Sequence, residues 1–146
     1  ARREEPENVF CKMKFDDALG VDLRADMILE YSGGKIAFAS TIMDSYFQST
    51  YSVLGRTAGV RMGRAYAVPK DMGTKIFLDR SDRSEEIDIA PADQFELMLD
   101  SFVGEAMKGE GSKEDYESDL LAQARALEAA RLSAKEGRVV AISEVN

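Results

Sequence analysis

The 146-residue chain contains no histidine and a single cysteine, Cys11. Without an imidazole it lacks the commonest general base, the usual serine and cysteine triads, and the common zinc sites. One cysteine also rules out an intrachain disulfide. Because Cys11 alternates with Phe10 and Lys12, we expect it to be a small buried residue. Chemistry carried by these residues alone would rest on carboxylates, lysine or tyrosine, and we predict no metal site.

Long apolar runs are also missing. None approaches the roughly 20 residues that span a bilayer, and the N-terminal Ala-Arg-Arg-Glu-Glu-Pro lacks the apolar core of a signal peptide. We therefore expect a soluble, cytoplasmic protein.

Positive charge is scarce, with 19 Lys and Arg against 27 Asp and Glu, for a net charge of −8. This balance argues against a nucleic-acid binder, which needs a basic surface. Arg56, Arg61 and Arg64 form the only local basic cluster, which we interpret as a solvated or ligand-facing patch. The pairs Asp16-Asp17 and Glu85-Glu86 are sequence neighbours, so their side chains diverge on a strand and do not form a catalytic dyad.

The first ninety residues predict an antiparallel sheet, because apolar and polar residues alternate over short segments separated by turn residues. Gly33-Gly34 marks a hairpin, since glycine accepts the positive φ angles of tight turns. Gly55 and Gly59 fit a turn between strands and match no phosphate-binding pattern. The predicted strands are 9–15, 23–31, 35–43, 46–54, 60–62, 66–68, 74–79 and 85–89.

Two helices and a closing strand follow Pro91. Apolar residues recur every three or four positions from Phe95 to Ala106, and again after Ser112, a predicted N-cap, as far as the breaker Gly137. Residues 138–142 are apolar and β-branched enough for a short strand. Strands followed by helices predict an α+β fold: a largely antiparallel open β-sheet with two C-terminal helices packed on one face and a final short strand.

Together these segments resemble a known family. The Gly-Gly hairpin, VLGRTAGV at 53–60, QFE at 94–96 and LEAARLSAKEGRVV at 127–140 follow one another as in the C-terminal domain of the glucose-fructose oxidoreductase and inositol dehydrogenase (Gfo/Idh/MocA) family. The resemblance implies a two-domain enzyme that moves a hydride between NAD or NADP and a hydroxyl carbon of a sugar, cyclitol or related diol. It also implies a C-terminal domain that forms one wall of the substrate cleft and supplies the surface through which subunits pair.

The family's catalytic and nucleotide-binding motifs are not in this sequence. It has no Gly-x-Gly-x-x-Gly, no Glu-Lys-Pro and no histidine, so no catalytic or cofactor-binding residue is assigned. We expect residues 1–146 to be a single C-terminal substrate and oligomerisation domain, with the Rossmann domain absent from this chain and no catalysis by the chain alone.

Site predictions follow from the pleat and from the resemblance. If helices cover the face that carries Leu23, the opposite face is predicted to form a homo-oligomer interface, with a solvated face as the alternative. The interface candidates are Asp26, Ile28, Glu30, Ala37, Ala39, Thr41, Gln48, Thr50 and Ser52. The substrate-contact candidates, placed at strand ends or turns, are Tyr46, Arg61 and Arg64.

Two other functions stay open. One is a stand-alone binding or dimerisation module that kept this fold without a nucleotide domain. The other is an α+β enzyme that uses carboxylates, which the lack of convergent acidic motifs disfavours.

Overall fold

A computed structural model of the chain describes residues 4–109 and 115–145. These residues form two compact units. One joins the N-terminal segment, up to Ser45, to the C-terminal segment from Asp115, and the other takes in the described residues 46–109. Each unit is built on a four-stranded antiparallel sheet.

The first unit contains a sheet with the strand order β3-β2-β1-β8. Its strands are β1 (Asn8–Phe15), β2 (Asp22–Tyr31), β3 (Lys35–Ile42) and β8 (Val140–Ala141). Gly33 and Gly34 carry the β2–β3 turn at φ 70° and 75°, as the sequence predicts. In the β1–β2 turn the Asp16 carboxylate accepts bonds from the backbone amides of Ala18 and Leu19, both at 2.8 Å.

Helix α2 (Tyr116–Glu136) packs on this sheet through small side chains. Ala129, Ala130 and Ser133 are fully buried against Val9 and its neighbours. Side chains this short let the helix backbone approach the strands closely, so the core excludes water without large residues. The helix ends at Gly137, which has the left-handed φ of 68° that glycine tolerates.

Ser133 joins the helix to the edge of β1. Its hydroxyl accepts a bond from the Cys11 amide at 2.9 Å and donates one to the Arg138 carbonyl. Strand β8 pairs only with Asn8 and Val9, so it does not reach the Cys11 amide. The serine hydroxyl therefore takes the place of a ladder hydrogen bond inside the protein.

The second unit has the strand order β4-β5-β6-β7 and one helix. Its elements are β4 (Tyr51–Leu54), β5 (Ala58–Met62), β6 (Thr74–Arg80), β7 (Ser84–Ile89) and α1 (Gln94–Ala106). Among its described residues no hydrophobic side chain is buried, and Ser49 is the buried polar one. The apolar positions of α1, such as Phe95, Met98 and Leu99, are each more than half exposed.

The α+β class and the antiparallel pairing are confirmed. The structure refines the arrangement: the strands divide into two sheets, and the helix buried against the first sheet is α2. Residues 66–68, predicted as a strand, form a bend outside the sheets. The strand predicted over 46–54 begins only at Tyr51, because Ser49 bridges to Arg64 instead of joining the ladder. The predicted N-cap Ser112 lies outside the described residues, and the Asp115 carboxylate accepts from the Ser118 amide at 3.0 Å.

Candidate functional site

The first sheet has one face turned away from α2. Since residues paired across strands share a face, Asp26, Ile28 and Glu30 lie there as predicted, opposite the buried set of Val9, Cys11 and Ala25. Their partners on this face from the neighbouring strands are Asn8, Phe10, Lys12, Ile36, Phe38 and Ser40.

The placement of Ala37, Ala39 and Thr41 on that face is wrong. These residues pair with Leu29, Met27 and Ala25, so they lie on the same side of the sheet as α2. The hairpin pairs Tyr31 with Lys35 across a three-residue turn, which puts odd-numbered residues of β3 opposite odd-numbered residues of β2. A shift of one residue in the register would have reversed the faces.

Apolar rings and a charged network share the open face. Phe38 is 78% exposed. The Asp26 carboxylate accepts from Arg24 Nε at 2.6 Å and from Ser40 Oγ at 2.7 Å, and these two bonds lower the pKa of Asp26. A depression of about 350 Å³ lies here, lined in part by Phe10, Asp26 and Phe38. The face offers both apolar area and fixed polar groups, the usual make-up of a protein interface.

Gln48, Thr50 and Ser52 do not continue this face. Ser52 lies on β4, which pairs with β5 of the second sheet, and Gln48 and Thr50 lie outside the strands. The sequence prediction placed them on a strand next to β3. The chain instead leaves the first unit after Ser45 and starts a second sheet. These residues therefore do not share a face with β2 and β3.

The three substrate-contact candidates all lie in the second unit, in different environments. Tyr46 is 89% exposed. Arg61 lies within β5, where its Nε donates to Asp79 Oδ2 at 2.8 Å and its guanidinium stands 4.0 Å from the Phe77 ring centre. Bonds from Ser84 and then from Arg61 lower the pKa of Asp79, so this carboxylate stays ionised and neutralises Arg61.

Arg64 is held differently. Its guanidinium lies 4.2 Å from the centre of the Phe47 ring, and Nη2 donates to the Ala67 carbonyl at 3.1 Å. Its Nε is buried without a hydrogen-bond partner, and no ion pair joins Arg64 to a carboxylate among the described residues. The Thr74 hydroxyl donates to the Arg64 carbonyl at 3.1 Å.

Aromatic side chains around Arg64 were missed by sequence reasoning. Phe47 and Tyr66 are 57% and 59% exposed, and the Tyr51 and Tyr66 rings meet edge to face with centroids 6.5 Å apart. Ser49 fixes this corner, because its hydroxyl donates to the Tyr66 carbonyl and accepts from the Tyr66 amide. The signal in the sequence was four aromatic residues between 46 and 66 on both sides of a glycine turn.

The described residues do not fit a nicotinamide dinucleotide. Such a cofactor places its diphosphate on open amides at a helix N-terminus. The first amides of α1 are taken by the Asp93 carboxylate, which accepts from Phe95 and Glu96, and Asp115 caps α2 in the same way. Both capping groups would repel a phosphate.

The remaining titratable groups in the described ranges offer little chemistry. Burial raises the pKa of the Cys11 thiol, with the negative charges of Asp26 and Asp22 adding to it, so the thiol stays protonated. Glu85 and Glu86 project to opposite faces of β7, as predicted, and bind Arg80 and Lys75 respectively. No group of three potential metal ligands occurs in these ranges, and none of their helices is long and apolar enough to cross a membrane.

Comparison with known proteins finds this fold within oxidoreductases. No protein-family model matches the chain. A dTDP-3,4-didehydro-2,6-dideoxy-α-D-glucose 3-reductase of Streptomyces antibioticus is 24% identical over 119 residues, which are 82% of this chain and 34% of that protein.

Solved structures give the same picture. A complex of a variant of KijD10, a 3-ketoreductase from Actinomadura kijaniata, with TDP-benzene and NADP matches 89% of this chain and 41% of its own, with a TM-score of 0.79 and 22% identity. An Agrobacterium radiobacter oxidoreductase, in complex with NAD⁺, L-tartaric acid and magnesium, matches 96% of this chain and 44% of its own, with a TM-score of 0.72 and 14% identity.

These likenesses confirm the predicted resemblance at the level of the fold. The chain is similar in structure to part of several nicotinamide-dependent oxidoreductases, and it spans about a third to two fifths of their length.

Proposed function

We propose that residues 1–146 form the C-terminal part of an NAD- or NADP-dependent oxidoreductase that acts on a sugar, cyclitol or related diol. The observation that carries the proposal is the extent of the structural match, which takes in nearly the whole chain but only about two fifths of each oxidoreductase. In this proposal a nucleotide-binding domain elsewhere in the polypeptide holds the cofactor. The residues described above then wall the substrate site and pair subunits.

The uncovered apolar side of α1 supports this assignment. Phe95, Met98 and Leu99 are 57–65% exposed on a helix of only 13 residues. A helix this short is marginal in water unless tertiary packing covers its apolar side. A second domain or a second copy of the chain would supply that cover.

Subunit pairing is proposed for the open face of the first sheet. Asp26, Ile28 and Glu30 remain candidates, and the observed register adds Phe38 in place of Ala39. Light scattering should show a dimer or larger assembly of the chain at about 100 µM, and Phe38→Lys should reduce it. Thr41→Lys adds the same charge to an exposed position on the other side of β3 and should leave the assembly unchanged. A monomeric wild-type chain at that concentration would contradict the pairing.

The function itself is tested by reading the coding sequence upstream of Ala1. We expect the residues encoded before Ala1 to include a strand followed by a Gly-x-Gly-x-x-Gly turn. The full product should oxidise NADPH or NADH in the presence of a keto sugar, while the 146-residue chain should not. Tight binding of a nicotinamide dinucleotide by the 146-residue chain would count against the proposal, because both described helix N-termini are capped by carboxylates.

A further inference from the structure

Arg64 is a partly buried cation without a counter-charge in the described structure. The other two partly buried arginines in these ranges are neutralised: Arg80 donates to Glu85 and Arg125 binds both oxygens of Glu5. Leaving a guanidinium half-buried and unpaired costs free energy, since it loses water without gaining a carboxylate. A buried Nε without an acceptor adds to that cost.

The structure nevertheless holds this side chain in one place. Phe47 covers one side of the guanidinium, and the Ala67 carbonyl takes the Nη2 bond. Ser49, 8% exposed, bridges to the Arg64 backbone. A guanidinium fixed by its ring and backbone neighbours loses little entropy when a ligand binds, and its planar edge suits the two oxygens of a carboxylate or phosphate.

The residue whose carbonyl holds Arg64, Ala67, also borders a ligand-sized depression. Ala67 lines a depression of about 360 Å³ whose other walls include Lys70, a second cation, as well as Asp93 and Phe95. Asp93 is occupied in capping α1. Exposed aromatic rings such as Tyr66 can cover the apolar face of a sugar.

We propose that Arg64 binds an oxyanion, a phosphate or carboxylate, carried by the sugar ligand, whose ring packs on an exposed aromatic side chain of the same unit such as Tyr66. The sugar part rests on the proposed function, while the oxyanion part rests on Arg64 alone. Arg61 is already paired with Asp79, so we expect it not to bind the oxyanion.

The test is a titration of the ¹⁵N-labelled chain with glucose 1-phosphate, glucuronate and glucose, followed by two-dimensional NMR. We expect saturable shifts around Phe47, Arg64 and Ala67 with one or both anions, and none with neutral glucose. The anion that binds more tightly shows whether the preferred oxyanion is a phosphate or a carboxylate.

Variants separate a site from general charge attraction. Arg64→Gln should weaken anion binding at least tenfold. Arg80→Gln removes the same charge from a partly buried arginine of the same unit and should change binding less than twofold. Arg64→Lys keeps the charge without the planar fork, so it should bind at an intermediate strength. It provides the same comparison if Arg64→Gln does not fold.

Two results would overturn the inference: no saturable shift with either anion up to about 50 mM, or equal losses in the Arg64 and Arg80 variants. Neither bears on the proposed function, because the titration uses no cofactor and no turnover. Conversely, anion binding would stand even if the longer protein showed no oxidoreductase activity.

Discussion

The two units are built on the same scaffold, a four-stranded antiparallel sheet, but only one has a core. In the first unit α2 presents Ala129, Ala130 and Ser133, which let it lie close to β1, and seven hydrophobic residues are buried. In the second unit the side of the sheet that carries Val60, Met62 and Ile76 is only partly covered, and α1 leaves its large apolar residues exposed.

This difference separates strand pairing from burial as sources of stability. Both sheets satisfy their backbone groups through ladders, yet net stability comes mainly from apolar area removed from water. The first unit should therefore be the stable part of the chain. The second should depend on a further surface that covers its apolar residues.

Among the changes that test the difference between the units, Ser133→Ala should lower the free energy of unfolding the most. It leaves the buried Cys11 amide and the part-buried Arg138 carbonyl without their partner, at a cost of about 1–3 kcal/mol for the amide and less for the carbonyl. Urea unfolding of the chain measures the loss. Ser101→Ala, on the exposed surface of α1, is the matched control and should change little. A loss below about 0.5 kcal/mol in Ser133→Ala would show that water replaces the hydroxyl.

Val9→Ala and Val53→Ala test the two sheets directly. Val9 is fully buried and Val53 is 48% exposed. Removing two methyl groups from the first site should cost about 2 kcal/mol, and from the second less than half of that. Equal losses, measured by the same unfolding experiment, would contradict the claim that only the first unit has a core.

Asp93→Ala should have a smaller effect that is confined to the second unit. The Asp93 carboxylate accepts from the Phe95 and Glu96 amides at 3.0 and 3.3 Å, and loss of such an N-cap typically costs about 1 kcal/mol. Amide hydrogen exchange should accelerate in α1 and stay unchanged in α2. Asp100→Ala, an exposed mid-helix change, serves as the control. Faster exchange in α2 as well would mean that the units are not energetically separate.

Glu144 should give the smallest effect, seen only as a pH dependence. Bonds from Arg138 and then from the Ala141 amide lower its pKa from 4.5 to about 2. A lowered folded-state pKa means that the carboxylate stabilises the fold above pH 4.5, and that this contribution is lost as the pH falls toward 2. Glu144→Gln should flatten the stability profile in that window. Glu128→Gln, on the exposed part of α2, is the control, and a profile unchanged by Glu144→Gln would contradict the assignment.

Local conformation was predictable from the sequence where one residue determines it. Gly33, Gly34 and Gly137 occupy positive-φ positions that glycine adopts without strain, so the hairpin and the end of α2 could be located. Apolar spacing predicted the helix that became α2, but it did not identify Ser133 as one of the residues buried there. The resemblance to the oxidoreductase family rested on the order of such local features.

Features set by distant pairing were not predictable. The length of the turn at Ser32–Gly34 decides which residues of β3 face α2, and alternation alone fits either choice. Arg61 and Arg64 look alike in sequence, but one meets Asp79 across the sheet and the other meets only Phe47 and a carbonyl. Sequence alone therefore could not show which of the two arginines lacks a carboxylate partner.

The hydroxyl of Ser133 has a further consequence for how this chain behaves among other chains. An exposed strand edge can template the addition of a foreign strand, which is a common start of aggregation. At Cys11 that position is already filled by a helix residue, so a foreign strand would first have to displace α2. A two-residue strand and one hydroxyl thus protect this edge of β1 from Asn8 to Cys11.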